Sequence, residues 1–145
     1  MKVEVFCLSD YAQVDSAGKL TIVGIFDTVY AIEAPTSHGL CALAARIRFA
    51  KPDEDGLKKF RISFSDADGK LLLPPWETQM PIATESDTSP GTVHIVAVIQ
   101  QIRLPNFGEY TFELWIDEVQ VASAPLWVRP TTAMPDHLRK KLSTS

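Results

Sequence analysis

Positive charge is scarce in this sequence, which has 14 lysine and arginine residues against 18 aspartate and glutamate residues and a net charge of -4. Proteins that bind DNA or RNA neutralise phosphates with an excess of basic side chains, so the composition predicts no nucleic-acid partner. Long apolar runs are also missing. A membrane-spanning helix needs about 18 or more consecutive apolar residues, and since no such stretch occurs we expect no membrane partner either.

Cysteine is rare as well, with two residues in the chain. Cys7 and Cys41 fall in phase with apolar strand residues, and neither belongs to a C-x-x-C pair or a Cys/His ligand spacing. We predict that both are neutral thiols in the core, as in a reducing compartment. Glu4 interrupts the apolar stretch near the N-terminus that a signal peptide would need, so we expect a cytoplasmic protein.

Catalytic and nucleotide-binding motifs are absent from the sequence. It contains no G-x-x-x-x-G-K, G-x-G-x-x-G, H-E-x-x-H or G-x-S-x-G pattern. The histidines His38, His94 and His137 lie far apart, and His94 has the position of a structural residue at the start of a strand. The sequence therefore predicts a protein that is not an enzyme and has no cofactor; a hydrolase using His94 or His38 is the weakest alternative.

A two-residue hydrophobic period is the main positive signal in a chain of 145 residues that is 46% hydrophobic. Phe60, Ile62 and Phe64 alternate with polar residues, and so do Tyr110, Phe112, Leu114 and Ile116. The pattern predicts one all-β domain, residues 1–129, an antiparallel β-sandwich of immunoglobulin-like or C2-like type. Further strands are predicted at Val3–Leu8, Leu20–Ile32, Leu40–Phe49, Val93–Leu104 and Val119–Val128.

Some strand predictions are more specific. Leu20–Ile32 and Val93–Leu104 are apolar in both phases, which predicts central strands covered on two sides, although a bend at Gly24 would give the same pattern. The prolines between Leu72 and Pro90 favour an edge strand followed by a loop. In the tail, residues 130–145, Pro135 and Asp136 suit the start of a short helix; the alternative is a flexible tail.

Acidic residues occur in several predicted loops. If each strand reverses direction, the loops with Asp10 and Asp15, with Asp53 and Asp55, with Asp87, and with Asp117 share one end of the sandwich. Carboxylates gathered there could bind Ca²⁺ or a basic partner, with Asp15, Asp53, Asp55, Asp87 and Asp117 as candidate ligands. The alternative is that aspartate is simply common in turns and stays hydrated. For Asp66-Ala67-Asp68-Gly69 a tight turn is favoured over a calcium loop.

Aromatic residues indicate a second candidate surface. If Asp117-Glu118 is a two-residue hairpin turn, Trp115 lies on the same outward face as Ala122, Ala124 and Leu126. Such a strip could bind a protein partner or a sugar ring, and Trp76 is a second candidate for a sugar. The alternative is that this face is covered by another sheet or by the C-terminal helix.

Two blocks of the sequence resemble an uncharacterised bacterial family, a domain of unknown function. The more specific block is Asp10-Tyr11-Ala12 followed by Gly18-Lys19-Leu20-Thr21-Ile22-Val23-Gly24-Ile25-Phe26-Asp27, and the weaker one includes Gly108-Glu109-Tyr110-Thr111-Phe112. The resemblance covers Val3 to Val128. It implies an all-β sandwich in bacterial proteins and supplies no activity, cofactor or catalytic residue.

A well-patterned core without a recognisable chemical site is typical of an interaction or structural module. The sequence therefore predicts a non-catalytic module of a bacterial cytoplasmic protein, which binds a protein partner or self-associates through an edge strand or the Trp115 strip. The alternative is a small-ligand-binding sandwich that takes a carbohydrate or Ca²⁺.

Overall fold

The computed structural model describes residues 1–50, 55–83 and 91–143. Within these ranges the chain is almost entirely strand until Pro130, where a single 3-10 turn, Thr131–Ala133, leads to one short helix. The strands are β1 (Lys2–Val14), β2 (Leu20–Ile25), β3 (Thr28–Ala31), β4 (Thr36–His38), β5 (Cys41–Phe49), β6 (Gly56–Asp66), β7 (Trp76–Ile82), β8 (Gly91–Ile99), β9 (Ile102–Leu104), β10 (Gly108–Ile116) and β11 (Val119–Pro130), and the helix is α1 (Asp136–Ser143).

Two sheets enclose one core. Sheet A has the strand order β2-β1-β5-β8, and sheet B has the order β3-β11-β10-β6-β7. Alternate residues of β6 and β10 point into the core, as the two-residue period predicts, and Phe60, Phe112 and Leu114 are fully buried there. From sheet A, Leu8, Leu43 and Ile47 meet them. The predicted all-β antiparallel sandwich is confirmed, with the parallel pair β3–β11 as an added feature.

The prediction that Leu20–Ile32 and Val93–Leu104 are central strands is wrong. The first stretch divides into β2, an edge of sheet A, and β3, an edge of sheet B. Gly24 has a φ of 71°, which only glycine adopts without strain, and the chain leaves sheet A two residues later. The second stretch divides into β8, the other edge of sheet A, and β9, which pairs with β4 in a small ribbon.

Aspartate and glycine turn chemistry is confirmed where it was predicted. Asp66 Oδ1 accepts hydrogen bonds from the amides of Asp68 and Lys70 at 2.9 Å each, which makes the predicted tight turn. Asp117 and Glu118 form the predicted two-residue turn with φ values of 48° and 65°, the pattern that matches the twist of a hairpin.

The hairpin of β10 and β11 contains a β-bulge that the sequence does not predict. Trp115 pairs with Gln120, but Leu114 pairs with Ala122, so Val121 is an extra residue on β11. One extra residue reverses which side chains face the core in the rest of the strand. Ala124, Leu126 and Val128 therefore point inward, and all three are buried.

The predicted edge strand and the predicted C-terminal helix are confirmed, whereas the loop predicted before Pro90 lies outside the described residues. β7 is an edge strand of sheet B and contains Pro81, as expected for a strand with one unpaired side. The C-terminal segment contains the predicted short helix, Asp136–Ser143. No helix within the described ranges has the length and apolar character needed to cross a membrane.

Candidate functional site

Trp115, the centre of the predicted aromatic strip, lies half-buried on the outer face of sheet B. The guanidinium carbon of Arg61 is 4.6 Å from its ring centroid. The indole Nε1 donates a hydrogen bond to Glu113 Oε2 at 3.1 Å. A cation over one face and a bonded Nε1 hold the ring against the sheet, so its polar and π-face interactions are already made within the chain.

Leu126 does not belong to this surface, and its assignment as a partner residue is wrong. Its side chain is 0% exposed and packs in the main core, because the bulge at Val121 turns it inward. The residue that faces outward in its place is Trp127, with the Arg129 guanidinium 5.4 Å from the ring. Trp127 pairs with Glu109, which lies about 20 Å along β10 from Trp115. The two tryptophans therefore form no single strip.

Trp76, the other sugar-binding candidate, is 41% exposed at the start of β7. It borders a cavity of about 90 Å³ together with Leu73, Pro74 and Ile99. Pockets that hold small ligands usually measure about 300–1,000 Å³, so this cavity is too small to enclose a sugar ring.

Asp15 and Asp117 were predicted to share one end of the sandwich, and the structure places them at opposite ends. Asp15 follows the last residue of β1, whereas Asp117 borders the same cavity as Met1, just before β1 begins. Asp15 Oδ1 accepts hydrogen bonds from the amides of Ala17 and Lys19, at 2.9 Å each. Asp15 is therefore a turn residue rather than part of an acidic cluster.

The carboxylate of Asp117 interacts with residues of β6. Its Oδ1 accepts a hydrogen bond from the Lys59 amide at 3.0 Å, and its Oδ2 lies 3.5 Å from Lys58 Nζ. The neighbouring Glu118 bonds Lys59 Nζ at 3.1 Å. Asp55 is exposed before β6, at the same end as Asp117. The candidate ligands Asp53 and Asp87 lie outside the described residues.

The outer face of sheet A carries a second apolar cluster, separate from the main core. Ala42 and Ala44 are buried at its centre, on the side of β5 opposite to Leu43 and Ala45. Among the described residues, every member comes from sheet A. We call this surface the outer apolar band; its members are Cys7, Ala12, Leu20, Ile22, Ala42, Ala44 and Val96.

Two exposed valines border the outer apolar band. Val98 pairs with Ala42 and Val14 pairs with Leu20, so each shares a face with a band member. Val98 is 62% exposed, and Val14 is exposed as well. The two-phase apolarity of β8 now has its explanation: Val93, Ile95, Ala97 and Ile99 pack on the main core, and Val96 belongs to the outer apolar band. In β2, Leu20 and Ile22 pack against the band, whereas Val23 and Ile25 of the other phase are exposed. The sequence carried this signal, but it was interpreted as a mark of central strands.

A charged cluster continues the same face toward the other end of sheet A. Glu4 bonds Arg46 Nε at 3.0 Å and Arg48 Nη2 at 2.8 Å. Arg46 Nη1 lies 2.6 Å from His94 Nε2; because a guanidinium can only donate, Nε2 is the acceptor. Arg48 Nε is buried and has no hydrogen-bond partner among the described residues. Two arginines against one carboxylate leave this cluster positively charged.

Both thiols are protonated at neutral pH, as predicted, but they occupy different sites. Cys41 is fully buried in the main core, where burial and the Asp10 carboxylate raise its pKa from 9.0 to about 11. Cys7 was predicted to be a core residue, and this is wrong because its side chain belongs to the outer apolar band. Partial burial there raises the pKa of the Cys7 thiol above 9.0.

Together these features define a β-sandwich with a polar, ion-paired outer face on sheet B and an outer face on sheet A that combines an apolar band with a charged cluster. The chain belongs to a family of unknown function, DUF6941, whose sequence profile matches residues 4–129. This membership agrees with the resemblance to an uncharacterised family.

Other comparisons add no function. No curated protein matches the chain. Among solved structures, the chain is similar to the Pseudomonas fluorescens alkylpurine DNA glycosylase AlkC bound to DNA containing an abasic site analog. The sequence identity is 11% and the TM-score is 0.45, with 86% of this chain and 30% of that chain covered. The likeness at this score supports no statement about activity.

Proposed function

We propose that this chain is a non-catalytic interaction module that binds a protein through the outer apolar band. The observation that carries the proposal is the second apolar cluster on sheet A, built from residues of a single sheet. An antiparallel sheet normally buries one face and solvates the other. Apolar residues on both faces of the same strands indicate that the second face is covered when the protein works.

The outer face of sheet B is a less suitable binding surface than the outer apolar band. On sheet B, Arg61 covers Trp115, and Lys58 and Lys59 neutralise the Asp117-Glu118 turn. These groups satisfy one another within the chain, so a partner would gain little by replacing them. Burial of the outer apolar band would release water from apolar surface, which is the main driving force in protein association.

The proposed setting is the cytoplasm of a bacterium. The family resemblance suggests bacterial proteins, and two protonated thiols without a disulfide are ordinary in a reducing compartment. A thiol in the outer apolar band behaves as a small hydrophobe as long as it stays reduced.

The proposal is tested by photo-crosslinking in cells that express the chain from its own gene. A photoreactive phenylalanine analogue replaces Val98 in one variant and Val119 in the control. The two valines are 62% and 61% exposed, so they report equally on random encounters. We expect a protein adduct from position 98 and none above background from position 119.

The adduct should disappear when Ala44→Arg is added to the position-98 variant, since a long charged side chain would stand at the centre of the outer apolar band. Circular dichroism would first show that this double variant is folded. Absence of an adduct from position 98, or equal adducts from both positions, would contradict the proposed function.

A further inference from the structure

Strand β8 is an edge of sheet A that lacks the features which normally keep a strand edge from pairing. Natural edge strands are short, bulged or twisted away, or they carry charged residues or proline. Among the other edges of the two sheets, β3 has four residues, β2 contains Gly24 at a φ of 71°, and β7 contains Pro81. By contrast, β8 pairs with β5 without a bulge over nine residues, Gly91 to Ile99, and contains no proline, lysine, arginine, aspartate or glutamate. Within the described ranges no strand pairs with its other side.

The pairing of sheet A shows which backbone groups of β8 are free. The Phe26 amide donates a hydrogen bond to the carbonyl of Leu8 at 3.0 Å, so the backbone of Leu8 points away from β5. Leu8 lies opposite Leu43 on β5, and two such residues of an antiparallel pair point away from each other. The backbone of Leu43 therefore points to Ala97, its partner on β8. Since the direction alternates along a strand, the free edge of β8 presents the amides and carbonyls of Thr92, His94, Val96 and Val98.

Resting on the proposed function, we infer that the partner presents an extended strand with apolar and acidic side chains, which adds antiparallel to the free edge of β8. All strand pairs of sheet A are antiparallel, so the added strand would continue the sheet in the same manner. In this mode of recognition, backbone hydrogen bonds provide the affinity and the side chains provide the specificity.

The apolar part of the added strand is determined by Val96 and Val98. Val96 belongs to the outer apolar band, and Val98 lies on the same face and is 62% exposed. Side chains directly opposite these valines would lie about 4.5–5.5 Å from them, measured between Cβ atoms. Apolar residues at both positions would cover Val98 and extend the outer apolar band onto the partner.

The acidic part is determined by the arginines beside the other half of β8. Arg46 Nη1 lies 2.6 Å from His94 Nε2, so this guanidinium reaches across to β8. Arg46 and Arg48 both bind the carboxylate of Glu4, which leaves the cluster with an excess of positive charge. An acidic side chain opposite His94 would complement this charge.

A second copy of β8 would not provide the acidic side chain. Gly91–Ile99 contains no aspartate or glutamate. A symmetric pair of β8 strands would therefore leave both arginine clusters without a complementary charge, and we expect the added strand to come from a different protein.

The side of the added strand that faces the core would be apolar as well. Ala97 and Ile99 of β8 border the cavity of about 90 Å³ together with Trp76 of β7. The residue opposite Ala97 would point toward this side of the sheet, because side chains opposite each other share a face. A branched apolar residue there would cover Trp76, which is 41% exposed.

Proline substitution on the free edge tests strand addition in the photo-crosslinking assay. Thr92→Pro removes an amide that points to the free edge and places the proline ring there. Thr92 lies outside the outer apolar band, about 20 Å along β8 from the photoreactive residue at position 98. The adduct from position 98 should fall by about fivefold or more in this variant, whereas Thr92→Ala, which keeps the amide, should leave the adduct unchanged.

The outcomes separate this inference from the proposed function. An adduct that Thr92→Pro leaves at full strength overturns strand addition but leaves the interaction module in place. Absence of any adduct from position 98 contradicts both. Circular dichroism shows whether the proline variant is folded, and a second experiment on the unaltered chain does not depend on that variant.

The second experiment is amide hydrogen exchange of the purified chain, followed by NMR. The probe is an acetylated and amidated peptide, Val-Ile-Val-Thr-Glu-Thr-Glu, at millimolar concentration. Antiparallel addition places its valines opposite Val98 and Val96 and its glutamates opposite His94 and Thr92. Exchange should slow by about threefold or more at the amides of these four residues, and by less at the residues between them, whose amides already point to β5. Unchanged exchange at the four amides would overturn the inference.

A control peptide with both glutamates replaced by glutamine tests the charge. It should bind the native chain about three- to tenfold more weakly. Arg46→Gln should reduce this difference, because it removes the guanidinium that reaches His94. Equal affinity of the two peptides for the native chain would overturn the acidic character of the partner strand.

Discussion

Replacing Leu126 by alanine tests the bulge that decides which face of β11 is buried. Leu126 is 0% exposed and pairs with Tyr110 across the hairpin. The substitution removes three buried carbon atoms, which cost about 2.4 kcal/mol in transfer free energy at about 0.8 kcal/mol each. The cavity left in the core adds to this loss, so we expect a total of about 3–4 kcal/mol.

Urea unfolding and thermal melting, followed by circular dichroism, measure this loss. For a chain of this size the melting temperature should fall by about 10–15 °C. The matched control is Leu57→Ala, the same chemical change at a side chain that is 64% exposed; its effect should stay within about 0.5 kcal/mol. A loss below about 1 kcal/mol for Leu126→Ala, or equal effects of the two variants, would refute the inward orientation of Leu126 and with it the bulge at Val121.

Three further predictions follow from single sites. Gly24→Ala should destabilise the chain by about 1–3 kcal/mol, because Gly24 has a positive φ. The loss should exceed that of Gly18→Ala, since of these two glycines only Gly24 has a side chain, that of Asp10, where the new Cβ would lie. Equal losses in urea unfolding would contradict this contact. The Cys41 thiol should add no pH dependence to the free energy of unfolding below pH 9.0 and should lower it toward about pH 11, since the unfolded thiol ionises before the buried one. Cys41→Ala should reduce the decline in urea unfolding between these pH values, and an unchanged slope would count against the raised pKa. Calcium and simple sugars should leave the melting temperature unchanged, because Asp15 and Asp117 lie in separate turns and the cavity beside Trp76 is small. A melting temperature that rises with ligand concentration would instead support the ligand-binding alternative.

The local parts of the fold could be predicted from the sequence. Alternation in β6 and β10 identified the buried side chains because a half-buried strand exposes every second residue. Aspartate and glycine marked the turns at Asp66 and Asp117 because their side chains or backbone freedom favour turns by themselves. These signals depend on neighbours in the chain and not on distant packing.

The incorrect predictions concern features that depend on contacts between residues far apart in the sequence. Nothing in the sequence of Val119–Val128 indicates that Val121 is an extra residue. Plain alternation therefore predicts the wrong side chains on the outer face, and it places Leu126 there. Apolar residues in both phases of β2 and β8 predict cover on two sides, but both strands are edges of sheet A, and Val23, Ile25 and Val98 are exposed. The periodicity is present in the sequence, but a sequence does not say which apolar face the rest of the chain covers.

The interaction face is tested most directly by carbene footprinting of the chain in a concentrated native extract and of the purified chain at high dilution. Labelling at Val96 and Val98 should fall strongly in the extract, because a protein covers the outer apolar band there. Labelling at Val119 should be the same in both samples. Equal labelling of Val96 and Val98 in the two samples would mean that this face stays open to water, contrary to the proposed role of sheet A.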